Sequence, residues 1–213
     1  MDIFLIAVIG ITVLITIKGF NDLYFFRKYD FHIGSIVAGE QIRMISSGFL
    51  HADWAHLIFN MLTLYFFGPV VIEMLGPFSF ILVYLISLVA GSLLTLVLHK
   101  NDYSYRAIGA SGAVTGVLFS AILLNSNMNV GMIFIPIGIP GWLFGILYLL
   151  YSIYGMRTKS DNIGHTAHFG GAIGGYAITL MYRPDILTTD TFTVVVLAVP
   201  IVLLFALERF GKL

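Results

Sequence analysis

The chain has 213 residues, 59% hydrophobic and 10% charged, with eleven Lys+Arg against eleven Asp+Glu and no cysteine. Soluble domains average about 45–50% apolar and about 25% charged residues, so this chain lacks the charge to cover a water-exposed surface. The composition excludes disorder, a nucleic-acid partner and an ordinary cytosolic enzyme, and points to an integral membrane protein. The missing cysteine also excludes disulfides, thiolate zinc sites and a cysteine nucleophile.

A span needs about 20 mostly apolar residues. Ile3 to Ile17 is uncharged, ends at Lys18 and reads as helix one. It reads as a retained helix, since Asp2 stands where the positive region of a signal peptide belongs. Gly19 to His51 mixes Asp22, Arg27, Lys28, Asp30, Glu40 and Arg43 with Phe20, Tyr24, Phe25, Phe26 and Phe31. Aromatic rings favour the headgroup level, so this stretch reads as a partly inserted interfacial structure. Trp54 to Leu75 is helix two, closed by Gly76-Pro77, and Phe78 to Leu98 is helix three. Ala107 to Met156 carries no charge. It holds helix four, about Ser111 to Leu124, and helix five, about Trp142 to Tyr154, separated by an Asn-rich turn with Pro136, Pro140 and Gly141. A polar segment, Arg157 to Asp161, leads to helix six, about Thr166 to Tyr182. Arg183-Pro184-Asp185 ends it, and Thr191 to Leu207 is a seventh apolar stretch containing Pro200. The expected fold is an all-α polytopic membrane protein in one domain, residues 1–213, with a core over about 1–183 and an extra helix at about 191–207.

Polar groups inside spans are costly and therefore functional candidates. Glu73 is the only acid within a predicted span, so paired intramembrane carboxylates are not available, and no H-E-x-x-H occurs. Three clusters remain. His56 and Asn60 are four apart and share a helix face. Ser111 lies in the run Gly109-Ala110-Ser111-Gly112 at a helix start, where unpaired N–H groups suit an oxyanion. Gly112 and Gly116 equally read as a packing face. His168 shares a face with Gly171 and Gly175, three and seven residues later. Two such smooth helices in contact would bring Ser111 within reach of His168.

Together these clusters resemble the rhomboid intramembrane serine proteases: H-x-x-x-N as His56…Asn60, G-x-S-G as Gly109 to Gly112, and A-H-x-x-G as Ala167-His168…Gly171. The resemblance implies a six-helix core plus, here, a seventh C-terminal helix. It implies Ser111 as nucleophile and His168 as general base, with no acid and no cofactor or metal. An oxyanion hole would come from the Ser111 N–H, Asn60 and His56, within the Gly109–Gly112 loop. The implied substrates are single-span transmembrane proteins, cut near the surface of a cell membrane whose lipids surround the enzyme. Family members often carry an aromatic residue one turn after the serine, packed on the base; this chain has Thr115 there, so that packing must come from elsewhere, such as Phe169 or a neighbouring helix. The W-R pair common in the family's first loop is absent, and His51 and His165 acquire no firm role.

The family topology puts the N-terminus inside and the active site outside. Lys18, Arg27, Lys28, Arg43, Lys100, Arg106, Arg157, Lys159, Arg209 and Lys212 would then lie outside and Arg183 inside, against the positive-inside rule. Three other readings stand beside the protease. One is a catalytically inactive relative that binds transmembrane segments, which intact Ser111 and His168 argue against. Another is a small transporter, which an inverted repeat would support. The last is a histidine metal site at His51, His56, His165 and His168, which lacks carboxylate or thiolate partners.

Overall fold

The computed structural model describes residues 2–132, 135–158 and 163–211, with the backbone alone for Met132, Ile135, Pro136 and Ile137. Lys159, Asp161 and Lys212, counted above among the polar residues, lie outside the described residues.

Helix α1 spans Ile3–Asn21, capped by the Asp2 carboxylate on the Phe4 N–H. It runs one turn past Lys18, which lies over the Phe25 ring. The interfacial stretch folds into short pieces: α2 (Leu23–Tyr29), β1 (Phe31–His32), α3 (Ile33–Val37), α4 (Arg43–Ser46) and a 3-10 turn, Ser47–Phe49. Asp30 holds it together. Its side chain is 1% exposed and takes ion pairs from Arg43 at 3.0 Å and from Arg106 at 2.7 Å. Arg106 belongs to β2 (Arg106–Ala107), which pairs antiparallel with β1. The first loop is thereby tied to the segment that leads into Ser111.

Helix α5 (Trp54–Leu75) starts where the Asp53 carboxylate accepts the His56 N–H at 2.8 Å. It ends at Gly76, whose φ of 87° suits only glycine, and Pro77 opens α6 (Pro77–Leu98). Helix α7 (Ser111–Leu124) is buried at every residue from Gly112 to Leu123. A helix apolar on all sides belongs in the middle of a bundle, and α5, α6 and α9 (His165–Tyr182) surround it. Helix α8 spans Gly141–Thr158, longer at both ends than the apolar pattern suggests. A short α10 (Ile186–Thr189) precedes α11 (Thr191–Arg209), which packs on α8.

Between α7 and α8 the structure replaces the expected plain turn by a hairpin, β3 (Asn129–Met132) with β4 (Ile135–Pro140). The all-α architecture is otherwise as expected. Among the described residues, four helices, α1, α5, α6 and α11, are long and apolar enough to cross a membrane, and α7 is a shorter apolar helix. The fold is a polytopic membrane fold, with exposed apolar side chains such as Leu14, Phe66, Val97 and Val202 on its outside.

Small residues set the bundle's closest approaches. A Cβ on Gly171 would overlap the Gly112 backbone, and one on Gly175 would overlap that of Gly116. On the other side of α9, a Cβ on Gly170 would meet the Ala90 carbonyl at 2.5 Å, and one on Gly174 would meet Ser87 at 2.9 Å. Helix α9 is therefore smooth on two sides, toward α7 and toward α6. The α7 side follows the spacing Gly112/Gly116 and Gly171/Gly175.

Candidate active site

Helices α5, α7 and α9 begin at the same end of the bundle, and a cavity of about 850 Å³ opens between their first turns. Ser111, His168, His56, Asn60, Thr115 and Tyr148 all line it. Exposed Ala52 and Asp53 line it too, so it reaches the outside. The structure brings Ser111, His168, His56 and Asn60 to one chamber from three helices.

Ser111 is the first residue of α7. Ala110 precedes it and has no side chain to cap the helix, whereas aspartates cap α1, α5 and α11. The first-turn N–H groups of α7 thus carry no side-chain cap, which leaves donors for an anion. The backbone before the serine is held at two points. Gly109 donates its N–H to the Ser47 carbonyl at 3.0 Å, and Ala110 donates to His51 Nε2 at 3.3 Å. Gly109 has φ of +119°, and a Cβ there would stand 2.7 Å from the His56 ring and 3.7 Å from Ser111 Oγ. Only glycine meets both demands. The His56 ring therefore lies directly over the turn that presents the serine.

Asn60 donates one amide hydrogen to the His56 carbonyl at 2.9 Å. An amide has two donors, and Asn60 lines the cavity. His168 is 8% exposed. Its neighbour Ala167 touches the residue after the serine: a Cβ on Gly112 would lie 3.0 Å from the Ala167 carbonyl oxygen. The tight α7–α9 contact thus joins the first turns of the two helices, and Ser111 and His168 both line the cavity there.

Thr115 stands one turn below Ser111, and its hydroxyl meets the Tyr148 hydroxyl at 3.1 Å. Tyr148, on α8, stacks on His168 with ring centroids 5.7 Å apart and planes 25° apart. The ring against His168 is Tyr148, from a neighbouring helix, not Phe169, which is fully buried in the core with Phe119 and Leu149. The one legible signal for Tyr148 was the vacancy that Thr115 leaves on α7.

The two histidines without a role are also located. His51 is fully buried. Since Nε2 accepts from Ala110, Nδ1 carries the proton and donates to Thr16 Oγ1 at 2.9 Å. Both ring nitrogens are occupied, so His51 is not a metal ligand here. Burial, with His56 close by, pushes its pKa down to about 3. His165 packs edge-on against Tyr151 and His168, seated over Gly155.

A family model described as the rhomboid domain matches residues 38–185. The putative rhomboid protease YdcA of Bacillus subtilis is 31% identical over 148 residues, covering 68% of this chain and 69% of its own. The rhomboid protease GluP of the same bacterium is 34% identical over 141 residues, 66% of this chain and 26% of its own. The RHOMBOID-like protein 12, mitochondrial, of Arabidopsis thaliana is 28% identical over 169 residues, 72% of this chain. The match spans half of that plant protein's length.

Proposed function

The chain belongs to the rhomboid family, and from that premise we propose that it is an intramembrane serine protease cutting single-span membrane proteins near the bilayer surface. The observation that carries the reading is the single cavity lined by Ser111, His168, His56 and Asn60 at the starts of three helices. On this reading residues 1–213 form one domain: a six-helix core over about 1–183, made of α1 and α5 to α9, plus α11 as a seventh span.

Serine is a weak nucleophile until a base takes its proton, and histidine titrates near neutrality, at about 6.5 unperturbed. His168 accepts the Ser111 proton as Oγ attacks the scissile carbonyl carbon. The resulting oxyanion is met by the uncapped Ser111 N–H, by the Asn60 amide and by His56 over Gly109. As the C–N bond breaks, His168 returns the proton to the leaving amine. Water, deprotonated by the same imidazole, then attacks the acyl-serine ester; the carboxyl product leaves, and the imidazolium returns that proton to Ser111 Oγ. The cavity supplies that water below the membrane surface. The reading invokes no carboxylate as a third member; the Tyr148 ring stacks on the imidazole that would act as base.

The test uses the purified chain in detergent with fluorescently tagged single-span substrates, beside Ser111→Ala and His168→Ala. Cleavage by the wild type and none by either variant is expected. Cleavage that persists in Ser111→Ala sinks the dyad, and loss of wild-type activity with a divalent-metal chelator moves the chemistry to a metal. Loss of the Asn60 donor should lower the rate about 10²–10³-fold, the usual effect of deleting one oxyanion donor.

A further inference from the structure

We propose that Tyr148 and Thr115 form a hydroxyl-locked platform that positions the His168 imidazole against Ser111, making both positioning residues of the protease reaction. The inference rests on the serine-protease reading and adds to it a dependence on a third helix.

The geometry forms a closed circuit over three helices. Ser111 and Thr115 are four apart on α7 and so face the same way. Thr115 is 3% exposed, and its hydroxyl meets that of Tyr148 at 3.1 Å. The Tyr148 ring lies nearly parallel to His168 on α9, and the short α7–α9 contact at Gly112 and Ala167 closes the circuit. Behind Tyr148, Phe144 stacks one turn earlier on α8, with centroids 5.9 Å apart and planes 17° apart. Tyr148 thus stacks on both Phe144 and His168, and all three rings line the cavity.

Each part has a separate job. A stacked ring restricts rotation of the imidazole about its side-chain bonds, leaving it free to move only in its own plane. The hydroxyl contact fixes how far Tyr148 reaches toward α7, and so fixes the height of the imidazole relative to Ser111. Small misplacements of a base cost large factors in rate. The platform acts on the transition state and not on substrate capture, because the two hydroxyls are engaged with each other.

The test is labelling of Ser111 by a fluorophosphonate, which needs the base but no natural substrate. Thr115→Val and Tyr148→Phe each remove one hydroxyl and keep the shape. Each should lower the maximal labelling rate about 3- to 10-fold, the effect of losing one hydrogen bond, at an unchanged half-saturating probe concentration. The double variant should be no slower than the slower single, because the two hydroxyls act as one unit. Thr115→Ser should restore the wild-type rate. Tyr148→Leu removes the stack and should fall further, with its melting temperature measured alongside to separate misfolding from misplacement. Single variants labelled within twofold of wild type, or losses that multiply in the double variant, overturn the platform. A wild-type chain that neither labels nor cleaves overturns the protease reading itself.

Discussion

At the scale of single residues, Gly109 carries the sharpest constraint. Its φ of +119° and the His56 ring 2.7 Å from where a Cβ would sit allow no other residue. Gly109→Ala should reduce cleavage by at least about 100-fold, by moving both the serine turn and an oxyanion donor; steady-state cleavage of the single-span substrate measures it. His51 supports the same turn from behind, through Ala110. Its pKa, pushed down to about 3 by burial and by His56, with Asp53 opposing, makes stability depend on pH. The neutral form fits the fold, and the unfolded chain takes up a proton below about 6.5. Stability is therefore present above about pH 6.5 and is lost as pH falls toward 3, by up to about 1.4 kcal/mol per pH unit. His51→Gln keeps a donor and an acceptor without titrating there. Thermal melting of the variant should be flatter than wild type between pH 6.5 and 4. His56, Asn60, Ser111 and His168 were legible because the spacing of each cluster fits one face or one turn of a helix. The position of Tyr148 was not, because it is 33 residues from Thr115 and no local pattern connects them.

At the scale of elements, the helix ends that could be read were those with chemical punctuation. Asp53 before Trp54, and Gly76-Pro77 after Leu75, bound α5 where the sequence suggests. Helix α8 has weaker signals at both ends, so the apolar pattern reads only Trp142 to Tyr154 of its Gly141–Thr158 span. The β3–β4 pairing, which joins Asn129 to Pro140, is not legible, because the prolines and glycines there read as a plain connection. The periodic glycines of α7 and α9 are readable, but Gly170 and Gly174 add a second close contact, with α6, that spacing alone does not single out. The first loop also hides its organiser. Asp30 looks like one acid among many, yet it is 1% exposed between Arg43 and Arg106. Removing one partner of a buried ion pair strands the other, at a cost of about 3–5 kcal/mol. Asp30→Asn should therefore lower the unfolding free energy by roughly that amount, read from denaturant titration, and loosen β1 from β2. Protease nicking within residues 22–46 and loss of cleavage activity would accompany it. The last helix offers a comparable test. A Cβ on Gly145 would meet Leu197 at 2.7 Å, and Trp142 packs edge-on against Phe192. Leu197→Ala, fully buried at this seam, should cost about 2–5 kcal/mol and slow cleavage, because α8 carries Tyr148.

At the scale of the whole molecule, the starts of α5, α7 and α9 share one end, and the β3–β4 hairpin, Arg183 and α10 belong to the opposite one. The charges set a puzzle about which end faces the cytoplasm. Most Lys and Arg lie on the cavity side, which the positive-inside rule would put inside. The structure gives several of them another occupation. Arg43 and Arg106 are bound to Asp30, Arg43 also to Glu40 at 2.6 Å, and Arg27 approaches Asp30 at 3.6 Å. A base engaged in folding the first loop is kept for that loop's structure, so its position reports less about topology than a free surface lysine would. The family topology, cavity outside, is the orientation we expect. With no native cysteine, a single introduced one reports its side without background. Asn101→Cys, in the exposed turn at the cavity end, should react with a membrane-impermeant maleimide in intact cells. Thr188→Cys, exposed beyond Arg183 at the other end, should react only after permeabilisation. The reverse pattern would mean that the charge rule governs this chain and that its cavity opens to the cytoplasm, where the substrates would have to present their cleavage sites.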